Sequence, residues 1–498
     1  MSSREKDLLQ FNLTAEIPSF GKTPEPLFVI SSYLLLHLMV SAPDSIAAQI
    51  DPQRCFFRQG QTRPLSARKA ALKKLLLTIQ DHEAEILAAL HQDFSKPAFE
   101  GYVNEVLWVV REIKHVLKHL SQWVRPQRRW ADLPLLPATA HIHPDPVGTV
   151  LIISPWNYPF YLCLMPFIGA IAAGNSVVLK PSEFAPNTAT IVETLINQAL
   201  PSGWVGVIQG EATVSQQLIA EPFDHIFFTG SPAVGKKIMA AAAKNLTPVT
   251  LELGGKSPCI VDGEINLQET VKRISWGKFV NAGQTCVAPD YLLVQQALLP
   301  EFLSALTTVT RDFFGEPGDL QTAYAHIINQ HHWQRLVARL TEGEVIYGGL
   351  YQAAANYLSP TLILNPDLNA PLMQAEIFGP LLPILTYDTL DQAIAFVNKR
   401  PKPLALYYFG QNRQKQEQIL AQTQSGGVCL NDTLMQLSAS ALPFGGVGQS
   451  GIGRYHGKAS FDCFSHPKSV LKRPFWGETN LRYPPYGNKA KWIKRFFS

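Results

Sequence analysis

Val147-Gly148-Thr149-Val150-Leu151-Ile152-Ile153 runs directly into Ser154-Pro155-Trp156-Asn157-Tyr158-Pro159, an apolar strand closed by a proline-bounded turn. Four similar short runs follow, at residues 176–179, 205–208, 225–228 and 249–253, with helix-like stretches between them. Short continuous apolar runs suit strands buried on both faces, and their alternation with helices implies βαβ units and a mostly parallel sheet. In an open sheet of this kind, ligands gather beyond the carboxyl ends of the strands. The turn 155–159 is therefore the first place to look for a site.

The pattern extends outward in both directions. Downstream, from about 260 to 430, strands are expected near 292–294, 381–385 and 404–409, with helices near 267–279, 300–314 and 390–398. Upstream, residues 66–91 repeat apolar side chains at helical spacing, with Ser66 as the expected cap. Val103, Val106, Val110, Ile113, Leu117 and Leu120 predict a second amphipathic helix, ended before Pro126. Between them and the first strand, residues 130–146 are proline-rich, and the extended piece 138–143 is expected to pair with another such as 465–471. No internal repeat or low-complexity tract is evident.

A chain of 498 residues exceeds one hydrophobic core, and 46% apolar with 16% charged residues excludes a disordered chain. The net charge of +4 does not argue for nucleic acid. It is unevenly spread: residues 466–498 hold eight bases against the single acid Glu478, a local +7 that leaves the remainder near −3. The six cysteines form no CxxC pair, and Cys163, Cys259 and Cys429 lie among apolar neighbours. A reducing, cytoplasmic compartment is expected, with no disulfide framework and no metal site. Residues 27–40 are apolar apart from His37, too short to span a bilayer and of signal-peptide length. Glu16 and Glu25 argue against secretion, and the favoured expectation is that Met39 is the biological start.

The chemistry is read from single residues. Cys286 ends Asn281-Ala-Gly-Gln-Thr-Cys286, where small neighbours leave room for a substrate carbon; a packing cysteine is the plainer reading. Glu252 closes the apolar run 249–252, where a carboxylate is costly to bury without a task, although a solvated strand end is the alternative. Together a thiolate and a water-activating carboxylate are what acyl transfer through a thioester requires. Asn157 can offer its amide to an oxyanion beside the Cys286 backbone N–H, or serve merely as a turn residue. Lys180 and the turn Gly230-Ser-Pro-Ala-Val-Gly235-Lys236 suggest a dinucleotide at a helix start. The same turn matches G-x-x-x-x-G-K, but Lys237 stands where a P-loop needs Ser or Thr, so an NTPase is excluded. Glu376 can hold ribose hydroxyls, with Phe378 packed against the nicotinamide ring, or lie in a solvated loop. The glycine-dense 443–453 demands unusual backbone but names no function.

Pro155-Trp-Asn-Tyr-Pro159, Lys180-Pro-Ser-Glu183, Phe228-Thr-Gly-Ser231, Glu252-Leu-Gly-Gly-Lys256, Gly283-Gln-Thr-Cys-Val-Ala-Pro-Asp290, Glu376-Ile-Phe-Gly-Pro380 and Pro443-Phe-Gly-Gly-Val-Gly448 occur in this order. Together they resemble the aldehyde dehydrogenase superfamily, and with Tyr455-His-Gly-Lys458 and Ser465-His466 its class 3, fatty and aromatic aldehyde branch. The likeness covers roughly residue 39 to the end. It implies an α/β fold with a Rossmann-like cofactor domain (44–129 and 147–252), a catalytic domain (253–439), bridging elements (130–146 and 440–475) and a homodimer. It implies that Cys286 attacks the aldehyde, that Asn157 and the Cys286 amide hold the oxyanion, and that Glu252 activates the water that releases the acid. Cofactor contacts are implied at Trp156, Lys180, Glu183, Gly230, Ser231, Gly235, Leu253, Glu376 and Phe378. Glu183 favours NAD, and Lys180 tolerates NADP.

Two features depart from the class 3 pattern: the extension before Met39, and an end at Ser498 in place of a hydrophobic anchor. The basic, aromatic tail (Trp476, Tyr483, Tyr486, Trp492, Phe496, Phe497) suits either an anionic membrane surface or a contact along the dimer or substrate entrance. Either fits a fatty aldehyde or apocarotenal. The competing readings are a cysteine hydrolase without redox chemistry, a CoA-acylating dehydrogenase, and a catalytically silent membrane-associated binding protein.

Overall fold

The computed structural model describes residues 45–318, 324–478 and 480–497. The expectation about residues 1–38 falls outside these. The strand Thr149–Ile153 is buried throughout and lies inside a six-stranded sheet. It is flanked on one side by Ser176–Lys180 and then Val205–Val207, and on the other by His225–Gly230 and then Val249–Leu253. These five strands are parallel. The chain moves outward from Thr149–Ile153 in one direction, then returns to its other side, so the order reverses beside residues 154–157 and 230–231. That reversal opens a crevice between carboxyl ends.

The second sheet has seven strands in the order Glu344–Tyr347, Thr361–Leu364, Leu381–Tyr387, Tyr291–Gln295, Pro258–Val261, Ala405–Phe409 and Gly427–Leu430. All pairs but the first are parallel. Helices Leu267–Phe279 and Leu390–Asn398 occupy the ranges their apolar spacing predicts. A third, three-stranded antiparallel sheet joins Gln127–Arg129, Thr139–Pro146 and Ser465–Lys472, so the two extended pieces singled out in the sequence do pair.

Three details differ from the sequence reading. The helix expected over 66–91 is two helices, Leu65–Asp81 and Glu83–Phe94, broken at His82, and its first turn begins after Pro64 without a serine cap. The second amphipathic helix begins with a π-turn, Tyr102–Val106, before Leu107–Trp123. Within 440–475, Gly451–Ile452 pairs antiparallel with Leu251 and Glu252 and so joins the six-stranded sheet. Gly451, at φ 152°, permits this approach: a Cβ there would sit 2.4 Å from the Leu251 carbonyl oxygen. The glycine-dense loop thus backs the strand that ends in Glu252. Among the described residues no helix is long and apolar enough to cross a membrane.

Candidate active site

Two cavities meet at Cys286. The first, about 380 Å³, lies at the reversal point of the six-stranded sheet. Trp156, Asn157, Gly230, Ser231, Glu252, Leu253, Glu376 and Phe378 line it, all singled out in the sequence, together with His332, Arg335 and Arg339, which were not. The second, about 180 Å³, is walled by Trp108, Tyr158, Tyr161, Trp276, Leu434, Met435, Phe444 and Tyr455 and is predominantly apolar. Cys286 and Leu162 border both.

Cys286 follows three left-handed residues, Asn281, Ala282 and Gly283, at φ 55°, 52° and 70°. Two of them are not glycine, so surrounding contacts must hold the turn. Asn281 Nδ2 donates to the Asn157 carbonyl at 2.9 Å and to Gln284 O at 3.2 Å. Gln284 Nε2 donates to His326 O at 3.0 Å, and its Oε1 accepts from Ile328 N at 3.0 Å. Across this turn Asn157 Nδ2 donates to Gln284 O at 3.0 Å, one of its two amide hydrogens. Burial, followed by the nearby Glu376 and Glu252 carboxyls, pushes the Cys286 thiol up to about 12.

Glu252 is buried at the end of Val249–Leu253, and neither carboxyl oxygen has a partner among the described residues. Desolvation raises its pKa well above the ordinary carboxylate range. A buried unpaired carboxyl in a cavity wall is the signature of a group kept for chemistry.

Glu376 is pushed up to about 8, chiefly by burial and then by Asp290, against the Gly255 N–H, Lys256 and Arg335. Its loop is pinned from behind. Arg335 Nη1 donates to Ile377 O at 2.8 Å, Arg339 Nη1 to Glu376 O at 3.3 Å, and Asp290 Oδ1 accepts from Ile377 N at 2.9 Å. Lys256 bridges Asp290 to the carbonyls of Leu372 and Ala375. Phe378, at φ 49°, meets Trp156 edge-on at 5.3 Å, and His332 packs on the same indole at 5.1 Å.

The remaining expected cofactor residues lie apart from this cavity. Lys180 is buried at the end of the neighbouring strand, its amine bound to Pro181 O at 2.9 Å and Glu183 Oε2 at 3.1 Å. Gly235 is buried in the helix Pro232–Ala242, under Leu253. The pattern of small residues still suits a dinucleotide. A Cβ on Gly254 would lie 2.0 Å from Glu376 Oε2, and one on Gly230 would lie 2.4 Å from the Phe228 ring. The arginines and the histidine carried no local signal, since each reads as a solvated helix residue until the 376–378 loop folds over it.

A doubly wound sheet with a crevice at its reversal point, a thiol on the crevice wall and an unpaired buried carboxyl define an α/β enzyme with a reactive cysteine beside a crevice suited to a nucleotide. The model of the aldehyde dehydrogenase family matches residues 38–470, and the chain belongs to that family, in its class 3 branch. It is 45% identical over 446 residues to the 4,4'-diaponeurosporen-aldehyde dehydrogenase of Staphylococcus aureus, covering 89% of this chain and 97% of that relative. It is 44% identical to the dimeric NADP-preferring aldehyde dehydrogenase of Canis lupus familiaris, covering 88% and 98%. The substrate-bound structure of Staphylococcus aureus AldH superposes with a TM-score of 0.89 at 44% identity, over 91% of this chain and 99% of that one. An indole-3-acetaldehyde dehydrogenase complexed with NAD+ gives 0.80 at 26% identity, covering 86% and 89%. The chain is an NAD(P)-dependent oxidoreductase that acts on aldehydes.

Proposed function

We propose that the enzyme oxidises medium- and long-chain apolar aldehydes, fatty aldehydes or apocarotenals, to their acids. The observation that carries this reading is the position of Cys286 between an apolar cavity and the crevice of the doubly wound sheet. The aldehyde tail lies among Trp108, Trp276, Leu434 and Phe444, and its carbonyl carbon meets the Cys286 sulfur. The free amide hydrogen of Asn157 and the Cys286 backbone N–H hold the developing oxyanion. The nicotinamide, when bound, supplies the hydride acceptor. Trp156, Gly230, Ser231, Leu253, Glu376 and Phe378 hold the dinucleotide, with Lys180, Glu183 and Gly235 supporting its adenosine end and NAD preferred over NADP. Glu252 then takes a proton from the water that hydrolyses the Cys286 thioester.

The enzyme acts as a homodimer in the cytoplasm, and its basic, aromatic tail, 476–498, touches an anionic membrane surface. The divisions at 44–129 with 147–252, 253–439, and 130–146 with 440–475 serve as cofactor-binding, catalytic and bridging parts. The test is reduction of NAD+ and NADP+ with a chain-length series of aldehydes that includes an apocarotenal. Turnover efficiency that climbs with chain length supports the reading. No reduction by folded, nucleotide-competent protein would return the cysteine hydrolase to first place.

A further inference from the structure

The ten residues from Lys96 to Glu105 carry two buried ionisable side chains, Lys96 and Glu105, and a half-buried one, Glu100, and none of them borders either cavity. Lys96 and Glu105 are buried and paired with each other. Glu105 Oε2 accepts from Phe160 N at 2.9 Å and Tyr161 N at 3.2 Å, the first turn of the helix that follows Asn157. Lys96 Nζ reaches the Asn157 carbonyl at 3.4 Å and lies 4.2 Å from the Tyr158 ring centroid. Glu100 Oε2 accepts from Asn281 N at 3.0 Å, at the first of the left-handed residues before Cys286. Tyr158 Oη bonds Thr285 Oγ1 at 2.7 Å, next to the thiol. One segment therefore grips both strands of chain on which Asn157 and Cys286 stand.

The π-turn makes this possible. In a continuous α-helix the residue that shares a face with Glu100 is Asn104, four positions on. Adding a residue to the turn over Tyr102–Val106 brings Glu105 onto that face, and Val103 and Asn104 border the substrate cavity instead. The same five residues thus shape the substrate wall and anchor the catalytic loops from behind. Burying an ion pair costs more in desolvation than the pair commonly returns, so the buried Lys96–Glu105 pair, with Glu100 beside it on the Asn281 amide, marks a need for fixed geometry over stability.

We infer that Lys96, Glu105 and Glu100 are positioning residues that set the spacing between the Asn157 amide and the Cys286 sulfur. This rests on the reading of Asn157 and Cys286 as the oxyanion pair, which loss of all turnover in Cys286→Ala tests separately. The deciding variant is Lys96→Met/Glu105→Leu, which removes both charges at similar bulk and leaves neither unpaired. It is expected to fold, to bind NADH within about twofold of the parent by fluorescence titration, and to lose about 10–100-fold in kcat with aldehyde KM little changed. Hydrolysis of an activated ester, which uses Cys286 without cofactor, falls by the same factor. Glu105→Gln, which keeps an acceptor for the two amides, retains more kcat than the double variant. A folded double variant with parental kcat overturns the inference, as does one whose NADH affinity falls as far as its kcat. If the double variant does not fold, Glu105→Gln decides alone: parental kcat and ester hydrolysis overturn the inference, and a parallel loss in both with unchanged NADH affinity supports it.

Discussion

Gly254→Ala should weaken cofactor binding without unfolding the protein. Gly254 does not have a left-handed φ, so the backbone accepts alanine, but the added Cβ would stand 2.0 Å from Glu376 Oε2 and 2.5 Å from its Cδ. Restoring an ordinary 3.4 Å contact requires the carboxyl to move by more than about 1 Å. The loop cannot follow, because Arg335, Arg339 and Asp290 hold its backbone. The side chain must therefore swing away from its seat on the Gly255 N–H. Displacement of this size at a positioning group costs on the order of tenfold to a hundredfold, or about 1.4–2.7 kcal/mol. Titration of NADH fluorescence in the absence of aldehyde reads the loss directly, and a melting curve checks the fold. NADH affinity unchanged within twofold in a folded variant would refute the assignment of Glu376 as a cofactor ligand.

Glu376 also makes cofactor affinity depend on pH. Its carboxyl is held up to about 8, and the ionised form is the stronger acceptor for ribose hydroxyls, so NADH should bind more tightly as pH rises from 6 to 9. That dependence should flatten in Glu376→Gln. For Cys286, a thiol pushed up to about 12 predicts slow alkylation by iodoacetamide at neutral pH in cofactor-free enzyme, rising steadily to pH 10. A plateau below pH 8 would contradict this. Glu252→Gln should keep the first NADH equivalent per site while slowing steady turnover by about 10²–10⁴-fold. Loss of that first equivalent would place Glu252 earlier in the reaction. Because the Glu252 pKa is raised in the folded state, its contribution to stability is present at low pH and lost as pH rises from the unfolded carboxyl range through the folded value. The variant escapes that loss, so its melting temperature should exceed the parent's by a margin that widens with pH.

The central strands were legible because residues 149–153, 176–180 and 405–409 are buried on both faces and read as apolar runs. Helices such as Leu390–Asn398 were legible for the opposite reason, a single buried stripe at regular spacing. The break at His82 was not, since Asp81-His82-Glu83 contains no glycine or proline. Nor was the π-turn, because an inserted residue leaves the apolar stripe almost intact: Val106 and Val110 are where spacing puts core, and only Val103 is diverted to a cavity wall. Glu252 stood out as a carboxylate closing an apolar run, and Cys286 as a thiol approached by small residues. Lys96 did not, because a lysine between Ser95 and Pro97 looks solvated until Glu105, Asn157 and Tyr158 close around it. Its burial is a property of three distant segments, and no window of sequence contains them all.

The meeting of two cavities at a single sulfur has a kinetic consequence. On the proposed assignment the aldehyde tail and the dinucleotide take different cavities, which have only Cys286 and Leu162 in common among their lining residues. On that assignment neither ligand need wait for the other on steric grounds. Random-order kinetics is the natural regime for such a site. The apolar wall at Trp108, Leu434 and Phe444 can accordingly drift to accept new aldehydes while the dinucleotide crevice stays as it is.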